Sequence, residues 1–188
     1  MSDVKKILEM IKENDIRFID FRFTDTKGKW QHTSYLAEDF DESLLQDGIM
    51  FDGSSIAGWK SINESDMILQ PDLTTPFVDP FTAQPTLVIF CDVIEPNSGQ
   101  GYSRDPRTLA KRAEAYLAYT GVGDKAFFGP ELEFFVFDDA RFDVSMNGSF
   151  VRLDSDEGPW NTSREYEMGN PGHRPRVKGG YFPVQPVD

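Results

Sequence analysis

The first apolar positions of the chain, Val4, Ile7, Leu8 and Ile11, recur at the spacing of one face of an α-helix, with Ser2 placed as its N-cap. The period then changes. Arg17–Thr24 and Trp30–Tyr35 read as two strands, and Asp25-Thr26-Lys27-Gly28 between them reads as a hairpin turn. The pattern weakens after Asp39. Asp52-Gly53-Ser54-Ser55-Ile56-Ala57-Gly58-Trp59 is small, polar and glycine-rich, which predicts a loop. Met67–Gln70, Pro76–Val78 and Thr86–Val93 read as further short strands. The last is almost unbroken apolar sequence, the pattern of a central strand covered on both faces.

Glu95-Pro96-Asn97-Ser98-Gly99-Gln100-Gly101-Tyr102 reads as a linker. A helix follows, with Asp105 as N-cap, Pro106 at its first position and Gly121 at its stop. Leu109, Ala113, Tyr116 and Leu117 form its expected buried face. The aromatic run Phe127–Phe137 predicts a partly buried strand. From Val144 onward the sequence is polar, rich in glycine and proline, and predicts irregular structure. The order gives an α+β chain of two units, residues 1–102 and 103–188, of which the second reads as unfinished.

Composition narrows the function. A chain of 188 residues can bury a core. Its formal charge of −13 opposes phosphate backbones and anionic lipid, so neither nucleic acid nor membrane is an expected partner. The apolar runs are too short to span a bilayer, and the N-terminus has no apolar signal region. The single cysteine, Cys91, lies in an apolar run and cannot form a disulfide within one chain. These features together give a cytoplasmic expectation.

Three segments can carry chemistry. In Gly129-Pro130-Glu131-Leu132-Glu133-Phe134-Phe135, two carboxylates two residues apart on a strand point to one face. A hard divalent cation such as Mg²⁺ would offset their repulsion and lost hydration; alternatively, they line the solvent face of an edge strand. In Phe51-Asp52-Gly53-Ser54-Ser55, Asp-Gly is either an ordinary tight turn or a loop presenting Asp52 as acid, base or cation contact. In Gly172-His173-Arg174-Pro175-Arg176-Val177-Lys178, basic residues gather in an acidic chain, as a solvated loop or as an anion-facing segment. His32 lies in a strand and reads as structural. No Walker-type phosphate loop, zinc cluster or serine–histidine arrangement is present in the sequence.

Four of these motifs stand in one order and spacing. Met50-Phe51-Asp52-Gly53-Ser54-Ser55-Ile56, Asn63-Glu64-Ser65-Asp66-Met67, Gly129-Pro130-Glu131-Leu132-Glu133-Phe134-Phe135 and Lys178-Gly179-Gly180-Tyr181-Phe182 resemble the signatures of bacterial type I glutamine synthetases. The resemblance implies a β-grasp-like N-terminal domain, then the start of a catalytic domain, in an N-terminal fragment. It implies that Glu131 and Glu133 each bind one of two divalent cations, Mg²⁺ or Mn²⁺. Glu131 would hold the cation on the ATP phosphates, and Glu133 the one beside glutamate. Asp52 would take a proton from ammonium, with Ser55 and Tyr181 lining the ammonium pocket. Active sites would form between neighbouring subunits of a dodecamer, and the substrates would be L-glutamate, ammonium and ATP.

The chemistry needs such residues. A carboxylate has no leaving group until ATP phosphorylates it, and metals must neutralise the charge gathered in that step. Ammonium cannot attack until a base removes a proton. Two glutamates do not complete two metal sites, so the 188-residue chain by itself is expected to be inactive. The alternatives are a related γ-glutamyl-amine ligase and a non-catalytic module that binds full-length subunits.

Overall fold

The computed structural model describes residues 3–156, 158, 160, 165–169 and 182. It divides into two compact units, Met1–Phe127 and Phe128–Asp188.

The first unit is a mixed sheet with helix α1 (Asp3–Glu13) against its core. The strands are β1 (Phe18–Thr24), β2 (Trp30–Leu36), β3 (Ile49–Asp52), β4 (Asp66–Pro71), β5 (Phe77–Val78) and β6 (Thr86–Ile94). A short helix α2 (Leu44–Asp47) precedes β3. The spatial order is β2-β1-β6-β4-β3, with β5 also paired to β6. Only the β1–β6 pair is parallel; the other pairs in this sheet are antiparallel.

Strand β6 is the spine. Its first half pairs with β1 and β5, and from Cys91 onward it pairs with β4. Leu87, Val88, Ile89 and Val93 have no exposed surface, as the unbroken apolar run predicted. On β1, alternation sends Ile19, Phe21 and Phe23 into the core with Ile7 of α1, Met67, Leu69 and Ile89. Cys91 is buried there too, and burial pushes its thiol pKa far up, so it is an inert core residue. The β1–β2 hairpin closes at Asp25. Its Oδ1 accepts from the amides of Lys27 and Lys29 at 2.9 Å each, and Gly28 takes φ +82°.

The other face of β1 carries a buried ionic group. Asp20, 3% exposed, accepts from Arg22 Nε at 2.7 Å and from the Ser34 hydroxyl at 2.6 Å, and His32 Nδ1 bonds it as well. Arg22 also reaches Asp79 at 2.7 Å and lies over the Trp30 ring. Burial alone would raise the Asp20 pKa. The bonds from Ser34, His32 and Arg22 outweigh it and hold the carboxyl below its ordinary value.

Helix α3 (Pro106–Thr120) starts and stops as the sequence predicts. Asp105 caps it, Pro106 opens it and Gly121 ends it in the left-handed region. Asp105 is fully buried and does more than cap. Its Oδ2 accepts from the Thr108 amide at 3.0 Å, the Thr108 hydroxyl at 2.7 Å and the Val93 amide of β6 at 3.3 Å. Arg107 adds bonds to Asp92 and Asp72. The predicted buried face is corrected, however. Leu109 and Tyr116 are exposed and no residue of α3 is buried, because only its first turns are tied to the sheet.

In the second unit, β7 (Asp139–Ser145) and β8 (Gly148–Asp154) form an antiparallel hairpin closed by Met146-Asn147. Irregular structure from Val144 onward is therefore corrected for residues 144–154. The two turn residues are Met146 and Asn147, neither at positive φ, so the turn carries no favoured dipeptide and the hairpin rests on the pairing of the runs on either side. The predicted strand over Phe127–Phe137 is also corrected. These residues form no strand, and Phe127, Phe128, Phe134 and Phe135 are each more than 80% exposed. Apolar sequence supplies strand propensity, but a strand also needs a partner for its backbone groups.

Two outcomes follow from this packing. Asp105→Ala removes a cap and strips Val93 N–H of its partner, and should cost roughly 2 kcal/mol in urea unfolding, against little change for exposed Asp124→Ala. Asp20 has a lowered folded-state pKa, so its stabilisation is present above the ordinary carboxylate value. It is lost as pH falls through the lowered value. Asp20→Asn should therefore destabilise the first unit at neutral pH and flatten the acid limb of its pH–stability curve.

Candidate functional site

Asp52 ends β3, and the register of β3 on β4 sets it opposite Asp66. The sequence pattern, weak after Asp39, named no strand ahead of the loop at Asp52. Ile49–Asp52 is a strand with Ile49 buried and Phe51 half-buried, too short a run to stand out by periodicity. The chain then turns tightly through Gly53–Ser55 as a single 3-10 turn.

The turn depends on glycine for space. Gly53 N–H donates to Ser65 O at 2.7 Å. A Cβ on Gly53 would lie 2.6 Å from Met67 Cγ and 3.1 Å from Ser65 O, and Met67 is fully buried. Beyond the turn, Ile56 N–H donates to Gly53 O and Trp59 N–H to Ile56 O. Trp59 drops into the core against Phe23, Phe51 and Tyr102, with ring centroids 5.6, 6.2 and 5.2 Å away. Arg104 bonds the carbonyls of Gly58 and Trp59. The loop is thus anchored at both ends while Asp52 and Ser55 remain exposed.

The Asp52 carboxylate is held from one side. Oδ1 accepts from the Ser54 hydroxyl at 2.6 Å and the Ser54 amide at 2.8 Å. These two bonds, hydroxyl first, hold its pKa below the ordinary carboxylate value; burial opposes them weakly and the Ser65 hydroxyl adds to them. Asp52 is therefore an anion at neutral pH. Ser54, Ser65 and Asp66 around it were not singled out as site residues. The Asn63–Met67 motif contained two of them, but their facing Asp52 depends on the β3–β4 register. An open polar cleft beside the turn is lined by Lys60, Asn63, Ser65, Asp66 and Glu95. Lys60 there is committed to Glu95 at 2.8 Å.

Glu131 and Glu133 belong to the second unit, in the segment without regular structure, and both are exposed. Their oxygens are the donor type a hard divalent cation takes, so their chemistry fits Mg²⁺ or Mn²⁺. Among the described residues no group of three or more His, Cys, Asp or Glu converges. The structure thus joins Asp52 and Ser55 on one turn, and Glu131 and Glu133 along one segment. Tyr181 and the basic stretch from Gly172 to Lys178 lie outside the described residues. His32 is engaged with Asp20 in the β1–β2 hairpin, a structural position.

Comparisons with known proteins agree with the motif pattern. Residues 15–96 match the family model described as glutamine synthetase, beta-Grasp domain, and residues 103–188 the one described as glutamine synthetase, catalytic domain. The chain is 60% identical over 188 residues to the glutamine synthetase of Azospirillum brasilense, covering all of this chain and 40% of that protein. It is 59% identical over 185 residues to the 3-hydroxylaminophenol mutase of Cupriavidus pinatubonensis, covering 98% of this chain and 39% of the relative. Among solved structures it resembles the Plasmodium falciparum glutamine synthetase, with TM-score 0.74 and 26% identity, over 100% of this chain and 37% of the other. The chain thus spans about 40% of the length of the curated relatives it matches. With a β-grasp domain followed by the start of a catalytic domain, it belongs to the bacterial type I glutamine synthetase family.

Proposed function

We propose that this chain supplies the ammonium-binding loop and two metal ligands of an ATP-dependent glutamate–ammonia ligase that works as a homo-oligomer. The γ-carboxylate of L-glutamate attacks the terminal phosphorus of ATP and ADP leaves, giving γ-glutamyl phosphate. Ammonium gives a proton to Asp52, and the resulting ammonia attacks the acyl carbon. The attacking nitrogen gives up a second proton, which the leaving phosphate carries off, and L-glutamine is formed.

The observation that carries this reading is the Asp52 turn. A base for ammonium must be anionic at neutral pH, exposed to the cation and fixed in direction. Asp52 meets all three conditions: the Ser54 bonds hold it ionised, it is exposed, and Gly53 and Trp59 anchor its loop. Its low pKa makes it a weak base. Its use is in attracting ammonium and receiving the proton as the nitrogen commits to attack. Ser55 and Tyr181 would complete the ammonium pocket. Glu131 and Glu133 would each hold one divalent cation, and bound metal would neutralise phosphate charge during transfer. The remaining ligands for metals, ATP and glutamate would come from other parts of the ligase, and Asp52 and Ser55 would serve a neighbouring subunit's site within a dodecamer.

A second reading, a non-catalytic module that binds full-length subunits, is favoured by the exposed aromatic side chains of Phe127, Phe128, Phe134 and Phe135.

Kinetics of the assembled ligase carrying this chain separate the roles. Asp52→Asn should lower kcat/KM for ammonium by about 10²- to 10⁴-fold while leaving KM for ATP nearly unchanged. Glu131→Gln and Glu133→Gln should instead raise the metal concentration needed for half-maximal rate by about tenfold or more. The isolated 188-residue chain should form no γ-glutamyl phosphate. Turnover by that chain, or unchanged ammonium kinetics in Asp52→Asn, would sink the assignment.

A further inference from the structure

The turn after β3 has a counterpart in the same unit. Asp72 Oδ1 accepts from the Thr74 hydroxyl at 2.6 Å and the Thr74 amide at 3.0 Å. This is the arrangement of Asp52 with Ser54, a hydroxyl residue two positions on that grips one carboxylate oxygen twice. At Asp72 the other oxygen, Oδ2, meets a cation, the Arg107 guanidinium. The grip aims the second oxygen, and a positive group occupies it.

Among the described residues, none plays the part of Arg107 at Asp52. The nearby ammonium of Lys60 is bonded to Glu95, and the charged residue paired across the strands is Asp66, of the same sign. A cap for the 3-10 turn needs only the amide bond. The hydroxyl bond, at 2.6 Å the shorter of the two, is a second donor on the same oxygen. It fixes the rotation of the carboxylate, which one bond would leave loose.

We propose that Ser54 is the positioning residue of Asp52: its hydroxyl and amide grip Oδ1, so that Oδ2 is the oxygen that meets ammonium and takes its proton. The assignment rests on the function proposed above. Ser54 touches no substrate and acts through Asp52 alone. The same bonds stabilise the anion, so removing the hydroxyl loosens the aim of the carboxylate and raises its pKa.

The first test uses the 188-residue chain with ¹³C-labelled aspartate carboxyls, the Asp52 signal being assigned by its loss in Asp52→Asn. Ser54→Ala should move the Asp52 titration midpoint upward. Ser54→Thr, which keeps the hydroxyl, should restore it, and Ser55→Ala should leave it in place. The Gly53 amide signal, held by Ser65 O, reports whether the turn survives. Where Ser54→Ala disrupts the turn, Ser54→Thr decides, and a midpoint in it displaced from wild type overturns the assignment. An unmoved midpoint in an intact Ser54→Ala turn overturns it as well.

The second test follows ammonium dependence in the assembled ligase. Ser54→Ala should lower kcat/KM for ammonium by about tenfold and move the acid limb of its pH profile upward, with rescue by Ser54→Thr. A moved carboxyl midpoint with unchanged ammonium kinetics overturns the reading of Asp52 as proton acceptor, and with it the catalytic use of Ser54.

Discussion

Every named strand of the first unit except β2 and β3 pairs directly with β6, and those two hang on its neighbours β1 and β4. That constraint reaches the candidate site in three steps. The pairing of Leu69 with Val93 sets β4 on β6. The pairing of Ile49 with Leu69 sets β3 on β4. Those two registers put Asp52 at the end of β3, opposite Asp66. A slip of one residue would turn Ile49 and Phe51 outward and send Asp52 to the opposite face. The apolar side chains of β6 therefore fix the position of a carboxylate they never touch.

Polar groups complete what the apolar pattern begins. Asp105 is fully buried and so needs donors; it finds them on both α3 and β6, which joins the helix to the sheet. Arg107 makes a second tie through Asp72 and Asp92, and Asp20 gathers Arg22, His32 and Ser34 on the other side of β1. An acidic chain thus uses several of its carboxylates as internal acceptors. Asp52 is gripped by Ser54, with a further contribution from the Ser65 hydroxyl, and stays exposed.

Local signals were legible wherever one element decides its own structure. The β1–β2 hairpin turn, the caps of α3 and the doubly covered strand β6 all followed from residues within or beside the element. Strand β3 was not legible, since four residues carry too little periodicity and their pairing partner lies fourteen or more residues away. The exposure of Leu109 and Tyr116 was not legible either, because amphipathic spacing identifies an apolar face without naming what covers it. The β7–β8 hairpin was not legible, because its central pair Met146-Asn147 is no favoured turn dipeptide. Of the site, Asp52, Glu131 and Glu133 were candidates from residue type and spacing, while Ser55 and the separate roles of the two glutamates came from motif resemblance. Ser54 could be found only from atomic distances, since a serine two residues after an aspartate is common in turns.

The two parts of the site differ in where their order comes from. The Asp52 turn is set by contacts inside one unit: Gly53 against Met67, Ser54 on the carboxylate, Trp59 in the core. It can hold its geometry before any substrate arrives, and that is what orientation requires. Glu131 and Glu133 sit in a segment whose backbone forms no strand and whose aromatic side chains face water. Burying one phenylalanine is worth about 1.5–3 kcal/mol, so covering Phe127, Phe128, Phe134 and Phe135 would release roughly 6–12 kcal/mol before ordering costs. That is enough to favour cover of the segment by an apolar surface that also pairs its backbone groups. The Asp52 turn is organised by the fold of a single unit, whereas the segment of Glu131 and Glu133 has no regular structure of its own.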